Sequence, residues 1–185
     1  DIKGLRIGLP REYLSNASNS AIVVKIKEVA QKLEVLGAIV EECSLPHTEY
    51  AQATYDIIAS AEASSSLARY DGVRYGYRAE GALDVDTLFA KTRSEGFGQE
   101  AKDKIMFGTY ILSSGNYVNY YLKALKIRTL IKQDFKQVFT KFDCLLTPTV
   151  YTNPVNLAGI PALSMPYGLV DSQPVGIQLI GKELA

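Results

Sequence analysis

The chain has 185 residues, of which 47% are hydrophobic and 22% are charged. Its 20 lysines and arginines equal its 20 aspartates and glutamates, which excludes an overall basic field that would attract nucleic acid or an anionic membrane. No apolar run approaches membrane-spanning length, and the first residues do not resemble a signal peptide. We therefore expect a soluble, cytoplasmic protein with no membrane contact, whose RNA contacts are local or made by a partner subunit.

The first 42 residues predict a compact α/β unit. The apolar run 5–9, which Pro10 ends, is typical of a buried strand. Apolar residues at helical spacing predict a helix over 22–36, with Gly37 as its left-handed cap. A second strand is expected at 38–42. Because strand, helix and strand follow so closely, we predict a βαβ unit with parallel strands and a right-handed crossover.

The rest of the chain is predicted to be helical in the middle and to return to strands at the end. Helices are expected at 50–69, 86–91, 100–112 and 117–139. Strands are expected at 144–147, 162–165 and 175–180. The sequence shows no internal repeat or linker, so we assign residues 1–185 to a single domain, or to one piece of a larger one.

Residues that often carry chemistry are sparse. The two cysteines, Cys43 and Cys144, lack metal-ligand spacing, and we interpret them as buried thiols. The single histidine, His47, cannot by itself indicate a catalytic triad, and we interpret it as a surface imidazole. Gly96 and Gly98 form half of a dinucleotide-binding pattern without a convincing strand before them, so that pattern is weak. No metal site is predicted.

Two aromatic segments allow a binding role. Tyr117, Tyr120 and Tyr121 lie at helical spacing beside lysines, which suits either single-stranded nucleic acid or packing of a helix onto the core. We favour packing. The segment 69–78 holds three arginines, three tyrosines and Asp71. It is either an ion-paired surface loop or a recognition loop for an anionic group, and composition does not separate the two.

Several ordered motifs carry a resemblance to a known family. They are AEASS at 61–65, RYDGVRYG at 69–76, TRSEGFG at 92–98, GTY at 108–110, LSSG at 112–115 and PVNLAGIPA at 154–162. By these motifs the chain resembles the amidase-signature family, and within it the glutamine-hydrolysing subunits of tRNA-dependent amidotransferases. The resemblance covers essentially the whole chain. It implies the C-terminal part of an α/β/α fold, with a mixed, largely parallel sheet flanked by helices.

The resemblance also implies an activity. Such a subunit hydrolyses glutamine and passes the ammonia to a partner, which uses ATP and magnesium to convert Glu-tRNA(Gln) to Gln-tRNA(Gln). The expected partners are glutamine, the B- and C-type subunits of the complex, and tRNA reached through the partner subunit. Two alternatives stay open: a non-catalytic amidase-like module with a partner-binding surface, and an amidase for another small amide. Whether the product is Gln-tRNA or Asn-tRNA also stays open.

The resemblance gives no catalytic residue for this chain. In the family a serine nucleophile is activated through a second serine and a lysine, in or before a Gly/Ser-rich signature that these 185 residues do not contain. We therefore expect the chain alone to be inactive. For substrate binding the resemblance implies Tyr55 and Lys104, where Lys104 stands in place of the family's arginine. An ammonium is a point charge, whereas a guanidinium binds a carboxylate with two parallel hydrogen bonds.

One further feature of the family's glutamine pocket has no counterpart here. The resemblance implies an acidic residue in a segment after 147–149, and the sequence offers no such segment. The strand ending before Pro148 is also followed by very little chain before the next element. We therefore expect that Val150 and Tyr151 are not covalent neighbours in the parent protein and that a loop lies between them.

Overall fold

A computed structural model describes residues 2–15, 20–149 and 152–183 of the chain. The chain divides into two compact units. Unit 1 consists of Asp1–Gln52 and Ile127–Ala185, and unit 2 consists of Ala53–Lys126. No helix among the described residues combines the length and the apolar character needed to cross a membrane.

Unit 1 is built on a five-stranded mixed sheet with the strand order β2-β1-β3-β5-β4. Strand β1 pairs in parallel with β2 and β3, whereas β5 pairs antiparallel with β3 and β4. The strands are β1 (Arg6–Pro10), β2 (Ile39–Cys43), β3 (Cys144–Pro148), β4 (Ala162–Val170) and β5 (Gln173–Gly181). The predicted mixed α/β fold is therefore confirmed.

The predicted βαβ unit is present in unit 1. Helix α2 (Ser20–Val35) connects β1 to β2, and the two strands pair in parallel with Arg6 opposite Ile39. Gly37 follows the helix with a φ of 97°, as a left-handed cap requires. The apolar face of α2 covers the sheet, and the core consists of Ile7, Leu9, Ile26, Val29, Ala30, Ala38, Leu146 and Ile177.

Two short helices of unit 1 were not predicted. Helix α1 (Arg11–Ser15) follows β1 directly, and α7 (Asn153–Ala158) precedes β4. A proline near the start of α7 and Gly159 just after it, with a φ of 72°, fix its two ends. A 3₁₀ helix (Pro46–Tyr50) also belongs to this unit.

The last two strands are longer than predicted and form a hairpin. Asp171 and Ser172 both have positive φ values, 49° and 63°, and join β4 to β5 in a tight turn. A register shift between Pro166 and Gly168 interrupts the pairing. The prolines and glycines inside these strands hid their full length in the sequence.

The remaining elements are helices, which the sequence largely predicted. They are α3 (Ala51–Leu67), α4 (Val85–Gly96), α5 (Gln99–Leu112), a π-helix (Val118–Leu122) and α6 (Lys123–Val138). The prediction for α4 was too short. Asp84 caps this helix by accepting a hydrogen bond from the backbone N–H of Thr87 at 2.7 Å, and the helix continues to Gly96. Residues 92–96, which the prediction left outside this helix, therefore belong to it.

Candidate functional site

In unit 2, helices α3 and α5 approach each other closely at Gly108. A Cβ atom at this position would collide with the carbonyl oxygen of Ser60 and with the side chain of Ser64. Gly108 is buried, and only glycine allows the two helix backbones to come this near. The contact therefore holds α5 against α3 at this point.

Lys104 and Tyr55, the two binding residues implied by the resemblance, lie on these two helices. The ammonium group of Lys104 donates a hydrogen bond to Glu100 Oε1 at 2.7 Å. This contact with Glu100 is the main cause that raises the pKa of Lys104, and the charges of Tyr55 and Asp56 on α3 add to it. The structure therefore places Tyr55 and Asp56 within electrostatic range of Lys104.

Lys104 and Tyr55 both carry polar groups that remain partly exposed. Lys104 is about half exposed (47%), and its ammonium carries three donors, of which Glu100 uses one. The half-buried Tyr55 adds a hydroxyl that both donates and accepts.

Sequence reasoning missed Glu100 as a member of this site. The signal was available, because a glutamate four residues before a lysine on one helix face is a favourable pair. The hydrogen bond from Lys104 also lowers the pKa of Glu100. Gly108 lay within a motif used for the resemblance, but its role in the helix contact is visible only in the structure.

His47 is a partly exposed imidazole with a partner that the sequence did not reveal. Its ring Nδ1 lies 2.9 Å from Asp134 Oδ1, and its backbone N–H donates to Asp134 Oδ2, also at 2.9 Å. The imidazole is half-buried, with 32% of its side chain exposed. The pair attaches the 3₁₀ helix to α6 within unit 1, which is a structural role.

The loop 69–78 is ion-paired, as one of the two interpretations of its composition expected, and its role in recognition stays a prediction. The carboxylate of Asp71 accepts hydrogen bonds from the backbone N–H groups of Val73 and Arg74, and from Arg74 Nε. These bonds hold the pKa of Asp71 below its ordinary value. Arg78 donates to the carbonyl oxygen of Gly72 at 3.2 Å. Arg74 and Arg78 therefore stabilise the conformation of the loop through contacts within it.

The tyrosine segment is more exposed than the favoured packing interpretation required. Tyr117 and Tyr120 remain 37% and 36% exposed, and they pack on other tyrosines at the surface of unit 2. The hydroxyl of Tyr121 donates to Glu62 Oε1 on α3 at 2.7 Å. The rings therefore form a surface cluster, with one hydroxyl attached to α3.

The remaining sequence candidates are two thiols, a glycine pair and an expected chain interruption. Cys43 and Cys144 are free thiols, half-buried rather than fully buried, and burial raises the pKa of Cys43 to about 12. Gly96 ends α4 and Gly98 precedes α5, so no strand leads into this glycine pair. Among residues 2–15, 20–149 and 152–183, no three His, Cys, Asp or Glu side chains form a metal-binding group. Val150 and Tyr151, on which the expected chain interruption falls, lie outside the described residues.

The sequence profile of the amidase family matches residues 1–155, and the chain belongs to this family. Two curated relatives are, by name, A-type subunits of glutamyl-tRNA(Gln) amidotransferase. The protein from Desulforamulus reducens is 54% identical over 204 residues, and the protein from Heliobacterium modesticaldum is 54% identical over 203 residues. Each alignment covers 98% of the chain and 42% of the relative, so the chain spans less than half the length of these relatives.

Solved structures agree with the family. The A-type subunit of the Thermotoga maritima glutamyl-tRNA(Gln) amidotransferase superposes with a TM-score of 0.68 at 32% identity, covering 98% of this chain and 39% of that chain. A bacterial aryl acylamidase of the amidase-signature family gives a TM-score of 0.73 at 20% identity. The superposition covers 98% of this chain and 40% of the acylamidase chain. The second likeness shows the shared fold alone.

Proposed function

We propose that the chain is part of the glutaminase subunit of a tRNA-dependent amidotransferase. In this proposal the parent protein releases ammonia from glutamine, and the complex uses the ammonia for the ATP-dependent conversion of Glu-tRNA(Gln) to Gln-tRNA(Gln). The enzyme would be a carbon–nitrogen ligase that takes glutamine as the amide donor and acts in cytoplasmic protein synthesis.

One observation carries the proposal. The amidotransferase relative from Desulforamulus reducens is 54% identical across 98% of the chain, whereas the structurally similar aryl acylamidase is only 20% identical. The placement of Tyr55 near Lys104 adds support, because a binding site for an amino-acid substrate needs a cation for the carboxylate.

In the proposed site Lys104 binds the carboxylate of glutamine, and the hydroxyl of Tyr55 helps to orient the substrate. An incoming carboxylate competes with Glu100 for the ammonium group. Glu100 is 84% exposed and its pair with Lys104 is an exposed one, so it turns away from Lys104 at little cost. The site therefore positions the substrate, and the chemistry belongs to residues outside this chain.

The catalytic serines and lysine are proposed to lie in the part of the parent that these 185 residues do not include. A partner would use ATP and magnesium, as the resemblance implies, and this chain would have no cofactor of its own. The parent would act in a heterotrimer with B- and C-type subunits, and tRNA would reach it through a partner.

The proposal is tested with the parent protein assembled with its partner subunits. We expect glutamine-dependent formation of Gln-tRNA from Glu-tRNA(Gln), measured by chromatography of the labelled aminoacyl group after deacylation. An aryl amide is the comparison substrate. Efficient hydrolysis of the aryl amide, without formation of Gln-tRNA, would instead identify an amidase for another small amide.

A further inference from the structure

A cavity in unit 1 has no role in the proposed function. It has a volume of about 320 Å³ and lies between α6, the end of α7 and the residues after β5. This volume is at the lower end of the range for small-molecule sites in proteins. Its lining residues are Lys132, Phe135, Lys136, Phe139, Ala158, Ile160, Lys182 and Glu183.

The inner wall of the cavity is apolar and aromatic. Phe135 lies on α6 and Phe139 directly follows its end, and their ring centroids are 6.4 Å apart with an interplanar angle of 22°. Phe135 is almost fully buried, whereas Phe139 is half-buried. Ala158 is buried beside them. A flat ring can therefore lie against the exposed part of Phe139, because offset stacking is favourable for aromatic rings.

The rim of the cavity carries an excess of positive charge. Lys132, Lys136 and Lys182 contribute three ammonium groups, against the one carboxylate of Glu183. None of the three ammonium groups makes a hydrogen bond or an ion pair with another residue that the structure describes. Three unpaired cations around an aromatic wall are complementary to a ligand that joins a flat ring to an anionic group.

We propose that this cavity binds a nucleoside monophosphate. The base would stack on Phe139, the phosphate oxygens would accept hydrogen bonds from Lys132, Lys136 and Lys182, and the ribose hydroxyls would donate to Glu183. A phosphate suits this rim better than a carboxylate does, because it offers oxygens to several ammonium groups at once and carries more charge. The site is separate from the residues proposed to bind glutamine.

Isothermal titration calorimetry with AMP, inorganic phosphate and adenosine tests the proposal. We expect AMP to bind with a Kd below about 1 mM, at least about tenfold tighter than either phosphate or adenosine alone. Raising the salt concentration should weaken the binding, because the contacts are exposed charges. Equal binding of phosphate and AMP would overturn the proposal in favour of an unspecific anion site. No binding of AMP would overturn it outright.

Variants locate the site. The double variant K132Q/K136Q should weaken AMP binding at least about tenfold, since two of the three phosphate contacts are lost. Phe139→Leu should weaken AMP but leave phosphate unchanged. Lys27→Gln, which removes an exposed charge from α2, is the matched control and should leave both unchanged. Equal effects of K132Q/K136Q and Lys27→Gln would contradict the assigned position.

The same titration is carried out with the longer parent protein. We expect AMP to bind there with a similar Kd. Loss of binding in the parent would show that its own polypeptide fills the cavity, and would overturn the proposal for the functional protein.

Discussion

The ammonium nitrogen of Lys104 lies 2.7 Å from a carboxylate oxygen of Glu100, four residues earlier in α5. A lysine ammonium has three donors, and this contact uses one of them. At the position of Lys104 the resembling family has an arginine, which binds a carboxylate with two parallel hydrogen bonds. In the glutamine site that we propose, the pair with Glu100 is the contact that an incoming carboxylate would compete with.

The close contact of α3 and α5 predicts a specific cost for Gly108→Ala. The added methyl group meets the carbonyl oxygen of Ser60, so the helices must separate. We expect the free energy of unfolding to fall by about 1–3 kcal/mol, measured by urea denaturation of the chain. Gly115→Ala is the control, because a Cβ there meets no atom within 4 Å. Equal stability of the two variants would contradict the assigned contact.

The chain on its own should release no ammonia from glutamine. The family's serine nucleophile and its lysine lie in a signature that these 185 residues do not contain, and no acyl-enzyme forms without a nucleophile. A coupled assay for ammonia with the purified chain is the measurement. Ammonia release above the buffer blank that a serine-directed inhibitor stops would show that the prediction is wrong.

The interruption expected between Val150 and Tyr151 can be tested by peptide mapping of the parent protein. The alignment with the relative from Desulforamulus reducens runs over 204 residues, more than the 185 in the chain, so the relative has residues without a counterpart here. Trypsin should cut after Lys141 and after Lys182, with no site between them in the printed sequence. We propose that the peptide 142–182 of the printed sequence is absent from the parent's digest. Its detection by mass spectrometry would show a true deletion.

The stabilisation that Asp71 gives to its loop should decrease as the pH falls. The pKa of this carboxyl is below its ordinary 3.8 in the folded chain, chiefly because of the hydrogen bonds from Val73 and Arg74. Its contribution to stability is therefore complete above the unfolded-state pKa and is lost as the pH falls through the lower folded-state value. Asp71→Asn should destabilise the chain near neutral pH.

The difference in the free energy of unfolding between Asp71→Asn and the unsubstituted chain should become smaller at pH values below 3.8. Urea denaturation at both pH values gives the comparison. Asp86→Asn is the control, because it removes an exposed carboxylate that has no hydrogen-bond partner among the described residues. A difference for Asp71→Asn that stays constant with pH would refute the assigned hydrogen bonds.

The regular part of the fold was predictable because its patterns are strong. The helical spacing that buries Ile26, Val29 and Ala30 identified α2, and Gly37 identified its end. The predicted helix 86–91 was shorter than α4, because glycine disfavours the interior of a helix and Gly96 stands at its end. The assignment of residues 1–185 to a single domain stays a prediction.

Less of the candidate site than of the fold could be predicted from the sequence. Tyr55 and Lys104 came from the resemblance, since no local pattern distinguishes them from an exposed helix face. The partner of Lys104 follows from helix spacing alone, but the close approach of α3 at Gly108 depends on tertiary packing. The pair of His47 and Asp134 joins residues 87 positions apart, which no local pattern reveals.

The KM of the parent enzyme for glutamine, compared between Lys104 and Lys104→Ala, tests the central claim most directly. A charge-assisted hydrogen bond to the substrate carboxylate is lost, so we expect the KM to rise by roughly tenfold or more. Lys104→Arg should leave the KM unchanged or lower it, and Lys91→Ala, an exposed lysine on α4, should leave it unchanged. An unchanged KM for Lys104→Ala would contradict the proposed glutamine site.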